Sequence, residues 1–149
     1  MFAAGYSVSA FTDWGSGKCA VWLKSQLDGE DGGSEVPGTG WLGGHQATEP
    51  VHPVPGMPAE NCTRQLGVAG PWYRRLPHFR PEFTPGSGEG LQSEFVVAWE
   101  RAGEALEAVR ALGSRIAPVV QISEIRTIAA DRLWLSPSYC RDSMAIHFT

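Results

Sequence analysis

Glu124 and Arg126 stand two residues apart in the segment 119–129 (VVQISEIRTIA), and His147 and Thr149 stand two apart at the C-terminal end of the sequence. Alternate residues of a β-strand project from the same face with Cα atoms ~6.6 Å apart, so each pair reads as two neighbouring side chains. If the two strands neighbour each other, the four residues form one polar patch on an otherwise apolar sheet. A carboxylate, a fork of five guanidinium donors, an imidazole and a hydroxyl offer donors and acceptors together, which suits a ligand carrying several hydroxyl groups. The ordinary alternative is structural. Arg126 then neutralises Glu124 and holds the sheet against a loop, His147 is a core or capping histidine, and Thr149 is a residue that strands favour in any case.

Other constellations read less well as sites. Gly38-Thr39-Gly40-Trp41-Leu42-Gly43 fits GxGxxG in letters, but no strand precedes it and Pro50, Pro53 and Pro55 exclude a following helix, so it is a loop. Gly15-Ser16-Gly17-Lys18 lacks the first glycine of a phosphate-binding loop, which is Thr12 here, and has Cys19 in place of Ser or Thr. His45, His52, Cys62 and His78 match no zinc spacing, so no metal is expected. Arg74, Arg75 and Arg80 near Trp72 and Tyr73 could bind a phosphate but are more simply solvated or paired. Asp142, Ser143 and His147 have no nucleophile-elbow context, and no catalytic residue is assigned.

The elements that must position the patch follow from periodicity. Residues 6–12 alternate Tyr6, Val8 and Ala10 against Ser7 and Ser9, and residues 19–27 are rich in Val, Trp and Leu, so both predict strands, with Asp13 to Lys18 turning between them. Phe95, Val97 and Trp99 share one face of a third strand. Ala102, Ala105, Leu106, Val109, Leu112 and Ile116 recur at helical spacing, with Glu104, Glu107 and Arg110 opposite and Gly113 and Pro118 as the stop. Residues 119–129 return as a strand, and Met144, Ile146 and Phe148 mark a last one. The strand, helix, strand, strand order predicts an α+β fold, a mostly antiparallel sheet with helices on one face.

Between Asp28 and Leu91, 13 Gly and 9 Pro in 64 residues make the chain mostly loop. Trp41, Trp72, Tyr73, Phe79 and Phe83 lie among the prolines, and large aromatics usually bury themselves, so residues 45–85 are expected to form an ordered, proline-stiffened loop lying across a surface.

The 149 residues suffice for one domain, and a net charge of −4 with 12 scattered basic residues leaves no footprint for nucleic acid. No apolar run approaches the ~20 residues that span a bilayer and no signal-type segment opens the chain, so no membrane association and a cytoplasmic location are expected. Cys19, Cys62 and Cys140 are odd in number and widely spaced, which predicts reduced, mostly buried thiols.

The strings PVHPVPGMPAENCTRQLGVAGPWYRRLPHFRPEFTP, GEGLQSEF and QISEIRTIAADRLWLSPSYCRDSMAIHFT resemble the FAD-dependent alditol oxidases, including xylitol oxidase, relatives of the sugar-lactone oxidases of the vanillyl-alcohol-oxidase type. The opening AGYSVSAFTDW is similar too, so the resemblance covers nearly the whole chain and falls on the cap, or substrate, half of that family. It implies that residues 1–149 form an incomplete cap domain whose FAD-binding domain lies elsewhere, with a separate FAD-binding chain as the partner that could carry it. The family's EIR and HFT segments match Glu124-Ile125-Arg126 and His147-Phe148-Thr149, implying that Glu124, Arg126 and Thr149 contact the hydroxyls of a polyol. The implied reaction oxidises a terminal CH–OH of an alditol such as xylitol or sorbitol with oxygen as acceptor, giving an aldose and hydrogen peroxide. Its base is a lysine expected beyond Thr149, and FAD is not expected to be bound by this chain alone. The Gly-rich stretch near Asp28 to Gly44 departs from the family. A stand-alone polyol-binding module or a non-functional fragment are the alternatives.

Overall fold

In the computed structural model, residues 1–27, 38, 40–83 and 90–149 are described. The Gly38–Gly43 string is therefore only partly covered, and the Gly-rich stretch from Asp28 lies largely outside the described residues. The chain divides into two compact units, one comprising Met1–Val8 and Leu23–Gly90, the other Ser9–Trp22 and Leu91–Thr149.

Five strands carry the alternation read from the sequence: β1 (Ser7–Thr12), β2 (Cys19–Lys24), β3 (Ser93–Ala98), β4 (Ser123–Ile128) and β5 (Ser143–Phe148). They hydrogen-bond in the order β2-β1-β4-β5-β3. The pairs β1–β4, β4–β5 and β5–β3 are antiparallel. The fold class is α+β, as the element order predicts. β4 is shorter than the apolar run suggested: residues 119–122 precede it, although Gln121 N–H donates to the Thr149 carbonyl and Thr149 N–H to that of Ile122.

Register sorts the side chains. Ile125 lies opposite Ile146, Thr127 opposite Met144 and Ser123 opposite Phe148, which puts these six on one face. Glu124 and Arg126 lie on the other, opposite His147 and Ala145. A slip of one residue would exchange the two sets, so burial of the apolar face fixes which way the charged residues point. Met144, Ala145 and Ile146 of β5, which lies between β4 and β3, are buried, as are Ala10, Phe11 and Ile125 of strands β1 and β4.

Aromatic side chains gather at Phe148 on the apolar face. Trp14 stacks on Phe148 at 6.4 Å between ring centroids, Phe95 meets Phe148 edge-on at 6.1 Å, and the Trp14 indole N–H donates to the buried Ser123 hydroxyl at 2.7 Å. α1 (Ala102–Ala111) ends at Leu112, and a separate turn, α2 (Gly113–Ile116), follows. The sequence predicts a helical run to Ile116 with Gly113 and Pro118 as the stop; the helical segment does end before Pro118, but Gly113 opens its second turn. A Cβ placed on it would lie 2.9 Å from the Trp14 carbonyl oxygen, so this glycine serves close approach of helix to turn rather than a left-handed cap. The turn before β2 is built on Asp13, whose carboxylate accepts from Gly15 N–H, Ser16 N–H and the Ser16 hydroxyl. Those donors hold its pKa below the usual value.

In the other unit, the loop predicted over residues 45–85 is seen as an ordered loop over 45–83, residues 84 and 85 lying outside the described residues, with 3-10 turns at Ala59–Asn61 and Trp72–Arg74. A single antiparallel bridge, Cys62 with Phe79, closes it, reinforced by Thr63 N–H to the His78 carbonyl and Arg80 N–H to that of Asn61. Val54, Asn61, Cys62 and Thr63 are buried there. The expectation that the interleaved aromatics bury themselves fails for Trp72, 74% exposed, Tyr73, 57% exposed, and Phe83, 36% exposed. That stretch closes on a guanidinium instead. Arg75 donates to the carbonyls of Val68, Arg74 and Ala69, and the backbone at Gly70 packs so closely that a Cβ there would displace the guanidinium.

Candidate functional site: a charged patch on one face of the sheet

The four residues singled out in the sequence fall on neighbouring strands and one face. Glu124 and Arg126 come from β4, His147 from β5 directly opposite Glu124, and Thr149 one step beyond β5. His147 Nε2 and Thr149 Oγ1 are 3.2 Å apart. Arg126 Nη1 donates to Glu124 Oε2 at 3.2 Å, and the two side chains differ in exposure, 38% for Arg126 against 12% for Glu124.

A fifth member, Glu94, was not singled out from the sequence. It pairs with His147 from the other side, so Glu124, His147 and Glu94 form a row across β4, β5 and β3. Arg126 Nη2 donates to Glu94 Oε1 at 2.5 Å, reaching across β5 at Ala145, the residue in register with Arg126. Ala145 is fully buried and carries only a methyl group, which leaves the guanidinium a path between the outer strands. One guanidinium thus serves two carboxylates, and with a neutral His147 the cluster carries a formal charge of −1. The signal for Glu94 was its alternation with Phe95 and Val97, but only the strand order β4-β5-β3 brings it to Arg126.

The patch can therefore present guanidinium donors, carboxylate acceptors and a hydroxyl that does either. Hydrogen bonds to charged partners contribute ~1.5–3 kcal/mol each, against ~0.5–1.5 for neutral ones, so a hydroxyl-rich ligand would draw most of its affinity from Glu124, Arg126 and Glu94.

The remaining candidates are engaged elsewhere. Ser143 donates to the Arg141 carbonyl and Asp142 accepts from Ala130 N–H, so neither is aligned with His147 as a triad. His78 accepts from Lys24 Nζ, which also donates to the Leu76 carbonyl. His52 Nδ1 contacts the Val54 backbone. Among the described residues no group of three His, Cys, Asp or Glu could hold a metal ion. Arg80 packs over Phe83 and lies 3.6 Å from Glu82. Cys62 is buried, which pushes its thiol pKa up to about 11, whereas Cys19 and Cys140 are exposed, so the expectation of mostly buried thiols holds for one of three.

The N-terminus of α1 carries Glu104 paired with Arg101 at 2.6 Å, so a carboxylate already occupies the end of that helix where an anion would otherwise be favoured.

Fold and patch together define an α+β domain with a charged, hydrogen-bonding surface on one face of its sheet. Over 148 residues the chain is 54% identical to an alditol oxidase of a Streptomyces species. That match covers 99% of this chain and 34% of the relative, so the chain spans about a third of the relative's length. No family model matches the sequence. No described helix is long and apolar enough to cross a membrane.

Proposed function

We propose that this chain is the substrate-binding part, the cap domain, of an FAD-dependent oxidase that converts the terminal CH–OH of an alditol to an aldose with oxygen as acceptor, releasing hydrogen peroxide. The identity to an alditol oxidase carries this reading, and the gathering of Glu124, Arg126, His147 and Thr149 on one face supports it. In this reading Arg126 donates hydrogen bonds to hydroxyl oxygens, Glu124 accepts a hydrogen bond from a hydroxyl, and Thr149 with His147 holds a further hydroxyl. Between them they fix the alditol so that one terminal carbon faces the flavin. Orientation of this kind supplies much of the rate in reactions whose chemistry the cofactor performs. The flavin and the proton-accepting base belong, in this reading, to the two thirds of the relative that the chain does not span, and a separate FAD-binding chain is the partner that would supply them.

Calorimetry with xylitol and sorbitol tests the binding role. The wild-type chain should bind in the millimolar range or better, and Arg126→Ala should weaken binding by about 10- to 100-fold, because it removes two or more charge-assisted hydrogen bonds and leaves the carboxylates unpaired. Equal affinity of wild type and variant would remove Arg126 from the site. Mixing the chain with a flavin-bearing partner from the family should give xylitol-dependent peroxide, and a colourless or silent mixture would count against the assignment.

A further inference from the structure

Arg126 is held from two sides. Glu124 is its neighbour on the same strand, but the shorter contact is to Glu94, two strands away, made across the methyl group of Ala145. A guanidinium tied only to Glu124 could swing about its long side chain. The second carboxylate pins the plane of the fork over β5, beside His147. Glu94 also changes the sign of the patch. Arg126 with Glu124 alone would be neutral, whereas the trio is net negative, and its side chains are only partly exposed, 38% for Arg126 and 33% for Glu94, so solvent screens the charge incompletely.

We propose that Glu94 is the positioning and selectivity residue of this patch: it orients Arg126 toward an uncharged alditol and makes the site reject the carboxylate form of the same carbon chain, the aldonate. The inference rests on reading the patch as an alditol site. An aldonate has the same hydroxyls on the same carbon skeleton, so hydrogen-bonding groups alone would discriminate poorly. A fixed excess of one negative charge discriminates strongly, since a like charge a few ångströms away disfavours the anion by about tenfold even at high effective dielectric.

The test compares xylitol with xylonate by calorimetry on the wild-type chain, Glu94→Gln and Glu94→Asp, with thermal unfolding run alongside. Glu94→Gln, close in shape but uncharged, should weaken xylitol binding by about threefold to tenfold and strengthen xylonate binding by about tenfold. Opposite movement for the two ligands is something a merely structural residue would not produce. Glu94→Asp keeps the charge but cannot reach Arg126, so it should keep the rejection of xylonate while losing xylitol affinity. Parallel loss of both ligands in Glu94→Gln, or no change in either, overturns the proposal. If the wild-type chain binds no xylitol, the alditol reading itself fails and takes this inference with it. Wild-type binding that is lost on Arg126→Ala but indifferent to Glu94 leaves the alditol reading standing and removes Glu94 alone.

Discussion

His52 shows how one side chain can set a pH dependence. Its Nδ1 lies 3.0 Å from the Val54 nitrogen and 3.2 Å from the Val54 carbonyl oxygen, and its Nε2 is buried without a hydrogen-bond partner, while the ring lies 5.2 Å from that of Phe79. Burial lowers the imidazole pKa from its ordinary value of 6.5, outweighing the contact with the Val54 backbone. The folded state therefore resists protonation more than the unfolded state does. Its contribution is fully present above the unfolded pKa and is lost as pH falls below 6.5 toward the lowered folded value. Urea unfolding should show a midpoint that drops between pH 7.5 and 5.5, with a smaller drop in His52→Asn, whose amide oxygen can still accept from Val54. Identical pH dependence in the two would assign the effect to other groups. At the same scale Glu94 illustrates what sequence reading misses. The spacing that pairs Glu124 with Arg126 is local and visible, whereas Glu94 reaches Arg126 through two strand pairings, and no local pattern carries that information.

At the level of elements, alternation, or for β2 a richness in Val, Trp and Leu, located all five strands to within a few residues, because the period of two and the preference of branched and aromatic residues for strands are local signals. The helix was found by its spacing, but its break was not. Gly113 is read naturally as a stop, and its true role depends on Trp14, which is about a hundred residues away in the chain. Gly113→Ala should cost about 1–3 kcal/mol, since its methyl group would press on a backbone oxygen that the Asp13 turn holds in place. Denaturant unfolding measures this directly; a neutral result would mean that α2 can shift away from Trp14 freely. The proline-rich loop was predicted to be ordered and is, but its exposed Trp72 and Tyr73 show that order there comes from Arg75 and backbone hydrogen bonds rather than from ring burial.

For the molecule as a whole, composition indicates a globular acidic chain but does not say where its apolar surface lies. The link between β4 and β5 presents Leu133, Trp134 and Leu135 to solvent, the last two 91% and 99% exposed. The turn is braced from within: Asp131 accepts from Leu133 N–H and the Ser136 hydroxyl, Ser136 Oγ accepts from Ser138 N–H, and Cys140 N–H donates to the Asp131 carbonyl. Leu135→Asp should change unfolding free energy by less than about 0.5 kcal/mol while raising solubility and reducing dye binding, because the leucine buries nothing here. A large loss of stability would show that Leu135 is covered in solution. Since these bonds, and not a core, hold the turn, wetness and stiffness come apart at this spot. Amide protons there should exchange slowly although water bathes the side chains on every side, and a greasy tip is displayed in one fixed shape instead of many.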